Sequence, residues 1–134
     1  MTDKRKILFM CVENAGRSQM AEGFFKKYAP LGWTSSSAGS RPAHTINPIV
    51  IQAMKEVGID INNQKPKELS SRLLENLNVN MGCMDKTECP TIFTGNFQDW
   101  NIEDPKNKSI EEVRVIRDKI EEKVKELVRY IESC

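Results

Sequence analysis

Ile7-Leu8-Phe9-Met10-Cys11-Val12-Glu13-Asn14-Ala15-Gly16-Arg17-Ser18 reads as a short buried strand that stops on a cysteine and opens a helix six residues later. Lys6 bounds the apolar run on one side. Met20, Ala21, Phe24, Phe25 and Tyr28 follow on the other at helical spacing, and Gly16 permits a sharp turn between. Backbone N–H groups of a tight loop feeding a helix N-terminus carry partial positive charge. A tetrahedral anion can sit among them while an arginine clamps two of its oxygens. The same field favours the thiolate, the reactive form of cysteine. The run therefore predicts an oxyanion-binding loop over Val12, Glu13, Asn14, Ala15, Gly16 and Arg17, with Cys11 as nucleophile. Ser18 is placed to cap the helix or to hydrogen-bond the sulfur. A cysteine six places before an arginine also arises by chance, and a purely structural cysteine is the competing reading; the strand before and the helix after give the spacing its weight.

With 134 residues the chain is read as one domain, large enough for a core without disulfide staples. It has neither a secretory leader pattern nor an apolar run near the roughly 20 residues that span a bilayer. A soluble, cytoplasmic monomer without membrane association is expected. In that setting the four cysteines read as reactive thiols or core residues rather than a framework of disulfides. A net charge of +1 with both signs interspersed argues against a nucleic-acid partner, so the anion bound is small.

Strand and helix patterns alternate along the chain, which predicts an α/β fold with a parallel sheet and helices on both faces. A second strand is expected over Trp33 to Ala38, ending at Gly39. Asn47 and Pro48 form a helix start, Val50, Ala53, Met54 and Val57 its apolar face, and Gly58 its stop. Residues 60–68 read as a loop. Ser70 or Ser71 then caps a short helix using Leu73, Leu74 and Leu77, followed by a strand around Leu77 to Met81 that closes at Gly82-Cys83. Between Cys83 and Asp104 the pattern is poorest, with a short strand expected near Trp100 to Ile102. A long amphipathic helix finishes the chain, its start marked by the Ser109/Glu112 capping box.

Two further groups of residues carry chemistry. Carboxyl ends of parallel strands line the ligand crevice, so Cys83 should lie near the Cys11 loop, with Cys89 six residues beyond it. Two unrelated core cysteines would give the same spacing. A zinc site fits poorly, because five residues separate the pair and His44 is the only histidine; no metal is expected. Asp104-Pro105 holds a carboxyl in an extended pose on a loop. That suits a general acid, and it equally suits a residue that starts a turn.

Taken together, Cys-x5-Arg-Ser, Gln19-Met20-Ala21-Glu22, Ser37-Ala38-Gly39, Asn47-Pro48, Met81-Gly82-Cys83, Cys89-Pro90, Trp100 ahead of Asp104-Pro105 and the terminal helix make the chain resemble, almost end to end, the thioredoxin-coupled arsenate reductases of the low-molecular-weight protein tyrosine phosphatase family. The resemblance implies a three-layer fold with a four-stranded parallel sheet. It also implies a thiol cascade with no bound cofactor: Cys11 attacks arsenate, Cys83 attacks Cys11 to release arsenite, Cys89 attacks Cys83, and thioredoxin reduces the final disulfide. A phosphatase using Cys11, Arg17 and Asp104 alone is the alternative, although Lys106-Asn107-Lys108 stands where such phosphatases carry tyrosines. The chain departs from its relatives at Glu13 and Gly16, where glycine and a second cysteine are frequent, and in a Cys83–Cys89 spacing one residue shorter. A carboxylate beside an anion site weakens binding unless it points away. Some members bind potassium through positions matching Asn14, Glu22, Ser37 and Lys67, the last acidic in them; here the Lys67 ammonium is expected to replace the ion.

Overall fold

The computed structural model describes residues 6–70, 80–83 and 97–133, with 80–83 and 97–99 described by their backbone alone. Along the chain run β1 (Lys6–Cys11), α1 (Arg17–Tyr28), β2 (Thr34–Gly39), α2 (Pro48–Lys55), β3 (Asn80–Cys83), β4 (Phe97–Asp99) and α3 (Ile110–Glu132). The four strands form one parallel sheet in the order β2-β1-β3-β4. β1 is interior to the sheet and covered on both faces, which is why it is continuously apolar from Ile7 to Met10, each of these at most 1% exposed. Ile7, Phe9 and Cys11 face a core shared with α1, α2 and α3, while Leu8 and Met10 face a smaller cluster with Ala38, against which Leu69 packs. The described helices thus share one face. The short helix expected to use Leu73, Leu74 and Leu77 lies outside the described residues.

β2 contains Thr34 and three consecutive serines, a weak strand sequence. Its extended state comes from pairing residue for residue with β1, from Lys6 opposite Thr34 to Cys11 opposite Gly39. The helix starts are chemically explicit. Asn47 Oδ1 accepts from the Ile49 N–H at 3.0 Å with Pro48 in the first turn, and Ser109 and Glu112 complete a reciprocal capping box. Gly58 ends the α2 region with φ of +82°. One expected element shifts: β4 is Phe97–Asp99, and Trp100 and Ile102 instead turn into the α3-side core, 5% exposed each. Burial rather than strand pairing explains the apolar residues there.

The chain passes from β1 to a neighbour on one side and later returns to its other side, so the carboxyl end of β1 is the switch point of the sheet. Cys11 is the last residue of that strand.

Candidate active site

Loop 11–16 sends its carbonyls outward, each to a donor. Those of Cys11, Val12, Glu13 and Ala15 accept from the N–H groups of Ser40 (3.3 Å), Arg41 (2.8 Å), Ala43 (2.9 Å) and Asn47 (2.9 Å), and that of Gly16 from Met20 (3.0 Å). The Asn14 carbonyl accepts from Gln19 Nε2 at 2.9 Å. In a planar trans peptide the carbonyl and the following N–H point in opposite directions, so the N–H groups of residues 12 to 17 turn toward the inside of the loop. Asn14 adopts φ of 51°, a left-handed conformation that asparagine tolerates well and that helps curl successive N–H groups into one concavity.

Two glycines allow the close approaches that hold this shape. A Cβ on Gly39 would stand 2.4 Å from the Val12 carbonyl oxygen and 2.9 Å from the Asn14 nitrogen, so the end of β2 supports the loop only without a side chain. A Cβ on Gly16 would meet the Pro105 ring at 2.7 Å, and its absence lets the Asp104-Pro105 segment rest against the loop.

Beneath the loop lies a hydrogen-bonded chain whose direction can be assigned. The Lys67 backbone N–H can only donate, and it donates to Asn14 Oδ1 at 2.9 Å. Gln19 Nε2 donates to the same oxygen at 3.0 Å, while Gln64 Nε2 donates to Gln19 Oε1 at 2.7 Å. With Oδ1 accepting, Asn14 Nδ2 is left to donate, which it does to Ser18 Oγ at 2.7 Å. Ser18 Oγ lies 2.9 Å from Cys11 Sγ, and toward a thiolate it is the hydroxyl that donates. Ser18 does not cap α1, whose N-cap is Gly16 with no side-chain cap. Asn14, Ser18 and Gln19 are fully buried, so the links of the chain nearest Cys11 are protected from water.

Above the loop is a cleft of about 330 Å³ lined by Cys11, Arg17, Asn47, Asp104 and Lys106 among others. Arg17 is 3% exposed; its Nη1 donates to the Ile102 carbonyl at 2.9 Å, and Nη2 lies 3.7 Å from Asp104 Oδ2. Asp104 makes a turn, its Oδ1 accepting from the Lys106 N–H at 3.0 Å, while its Oδ2 lies beside the arginine and the residue lines the cleft. Glu13 does not stand there as an uncompensated charge, because Lys106 Nζ is 2.8 Å from its Oε2 and the pairing raises the lysine's pKa.

Lys67 corrects one expectation. The ammonium on Glu22 belongs to Lys26, one turn along α1, at 2.9 Å, and Ser37 donates to the other carboxylate oxygen. Lys67 contributes its backbone N–H instead. Among the described residues no cluster of three or more histidine, cysteine or acidic residues is placed to hold a metal. Gln19, Gln64 and Lys67 support Cys11 through Asn14 and Ser18, a role that no local pattern in the sequence assigns to them. Cys83 ends β3 with its backbone in register with Met10, the residue before Cys11. Cys89 lies outside the described residues.

The model of the low molecular weight phosphotyrosine protein phosphatases matches residues 6–133. The chain belongs to that family. It is an enzyme of the kind whose relatives include an arsenate reductase of Brevibacillus brevis, 40% identical over 128 residues that cover 93% of this chain and 95% of the relative. Among solved structures, an arsenate reductase in the oxidised state superposes with a TM-score of 0.81 at 32% identity, covering 95% of this chain and 98% of that one. A thioredoxin-dependent arsenate reductase of Corynebacterium glutamicum superposes with a TM-score of 0.75 at 34% identity, covering 95% of this chain and 61% of that one. The low-molecular-weight phosphatase-like fold expected from the sequence is thereby established. No helix among the described residues is long and apolar enough to cross a membrane.

Proposed function

We propose that this member of the family reduces arsenate to arsenite through Cys11, Cys83 and Cys89, with thioredoxin or a similar dithiol protein as the reductant. The observation that carries the reading is the loop between Cys11 and Arg17 whose carbonyls all turn outward to donors, leaving its N–H groups to face inward, with Cys83 ending the neighbouring strand. Adjacent strands lie about 4.8 Å apart with a rise of about 3.3 Å per residue, which puts the Cα atoms of Cys11 and Cys83 roughly 6 Å apart. The two backbones are thus within the range a disulfide spans, and transfer of a bond between the sulfurs requires the end of β3 to rearrange.

In the first step Cys11 Sγ forms an S–As bond while an arsenate oxygen leaves as water, the proton coming from Asp104. Arg17 and the loop N–H groups hold the remaining oxygens. The Cys83 thiolate next attacks Cys11 Sγ. The S–As bond breaks with its electron pair passing to arsenic, so arsenite departs and two thiols have become one disulfide. Cys89 then attacks Cys83 and frees the Cys11 thiolate, and two electrons from the external dithiol reopen the Cys83–Cys89 bond.

Hydrolysis of phosphate esters uses the same loop and Asp104 but neither Cys83 nor Cys89. The test is arsenate-dependent NADPH consumption with thioredoxin and thioredoxin reductase, run beside hydrolysis of an aryl phosphate. Reductase turnover exceeding ester hydrolysis supports the proposal; ester hydrolysis with no arsenate-dependent consumption overturns it in favour of a phosphatase.

A further inference from the structure

An acidic residue inside an anion-binding loop needs an explanation, and Glu13 is such a residue. Its carboxylate and the Lys106 ammonium pair at 2.8 Å, and both residues line the cleft that Cys11 and Arg17 line. Glu13 comes from the loop itself and Lys106 from the segment carrying Asp104, so the pair spans the two walls of the site. The side chains are 38% and 58% exposed. An ion pair so open to water contributes little to stability, so holding the two walls together is a poor account of it. Its field is another matter. A multiply charged oxyanion in the cleft feels any unbalanced charge at the rim in proportion to its own charge, and the low-dielectric walls of a cleft focus that field.

We propose that Lys106 is the charge-compensating residue of the oxyanion site, cancelling Glu13 so that the loop keeps its net positive field for the anion. The pair sets affinity through its balance: removing the lysine uncovers a repulsive carboxylate, and removing the carboxylate uncovers an attractive ammonium. The two single substitutions therefore act in opposite directions, and the double substitution restores the balance. A merely structural role for the pair would weaken binding in both single variants. This inference rests on the loop being an oxyanion site, and the experiment separates the two claims.

Inorganic phosphate serves as a tetrahedral probe, titrated calorimetrically at low salt into wild type, Lys106→Gln, Glu13→Gln, the double variant and Arg17→Lys. Lys106→Gln is expected to weaken phosphate binding by about tenfold, Glu13→Gln to tighten it by a similar factor, and the double variant to regain most of the wild-type affinity. Both shifts should shrink near 1 M salt, where the screening length falls to about 3 Å. Arg17→Lys should lose most of the binding. Wild-type affinity in Arg17→Lys would overturn the oxyanion site itself. Loss of binding in Arg17→Lys together with unchanged or weaker binding in Glu13→Gln would leave the site standing and overturn the compensation by Lys106. Arg17→Lys decides the site and Glu13→Gln the compensation, so poor folding of Lys106→Gln leaves the test intact.

Discussion

Substituting Gly39 by alanine should damage the active site from the far side of the loop. The new Cβ would stand 2.4 Å from the Val12 carbonyl oxygen and 2.9 Å from the Asn14 nitrogen, both backbone atoms with no rotamer to relieve the clash. Overpacking of this kind costs about 1–3 kcal/mol. For a chain of 134 residues the entropy of unfolding is roughly 0.28 kcal/mol/K, so the melting temperature should fall by about 4–11 °C. The larger consequence is catalytic. Relief of the clash displaces Val12 and strains its bond to the Arg41 N–H, now 2.8 Å, and a shift of about 1 Å in a positioned loop costs on the order of 10²-fold in rate. Gly58→Ala is the control. Its Cβ meets nothing within 4 Å, while its φ of +82° strains any side-chain-bearing residue. That variant should lose about 1–2 kcal/mol of stability and no kcat/KM. Thermal melts paired with steady-state turnover separate the outcomes. Full activity in Gly39→Ala, or an equal loss in both variants, would refute support of the loop by the end of β2.

Three more outcomes are expected. Arg17→Lys keeps the charge but loses the planar fork and the bond to the Ile102 carbonyl, so kcat/KM should fall by at least about 10²-fold; steady-state kinetics near wild type would place the anion elsewhere. Asp104→Asn should slow aryl phosphate hydrolysis by about 10²- to 10⁴-fold, most for poor leaving groups, and a uniform small effect across leaving groups would restrict Asp104 to its turn. Tyr28 donates to Glu121, and that hydrogen bond, with burial and the nearby carboxylates, raises its pKa to about 12. The folded state thus holds this proton more tightly than the unfolded chain. Its contribution is complete below pH 10 and disappears as pH rises to 12; the drop in denaturant midpoint across that window should be smaller in Tyr28→Phe.

Much of the site is written in one run because strand, loop and helix start are consecutive there. The apolar strand places Cys11 at a strand end, and the helical spacing after Ser18 fixes where N–H groups become available. Long, strongly periodic elements such as α3 are legible for the same reason: their burial pattern repeats, and the Ser109/Glu112 box marks the start. The features that stay hidden depend on contacts distant in sequence. Nothing local in Gln64 or Lys67 announces that both connect to Cys11 through Asn14. The cation beside Glu22 is hard to assign for a similar reason: Lys26, four residues along the same helix, outcompetes a lysine brought in by a loop. Trp100 and Ile102 read as a strand because burial imposes the same apolar signal whether or not a ladder forms. The charge of Glu13 is unreadable without Lys106, 93 residues away.

The most direct measurement of the central claim uses Cys89→Ser with arsenate and no external reductant. Cys89→Ser should release one arsenite per enzyme and stop, and peptide mapping should then find Cys11 joined to Cys83. In wild type treated the same way the bond should be between Cys83 and Cys89. Sustained turnover of Cys89→Ser at the wild-type rate in the full thioredoxin system, with no Cys11–Cys83 disulfide at any time, would contradict the cascade.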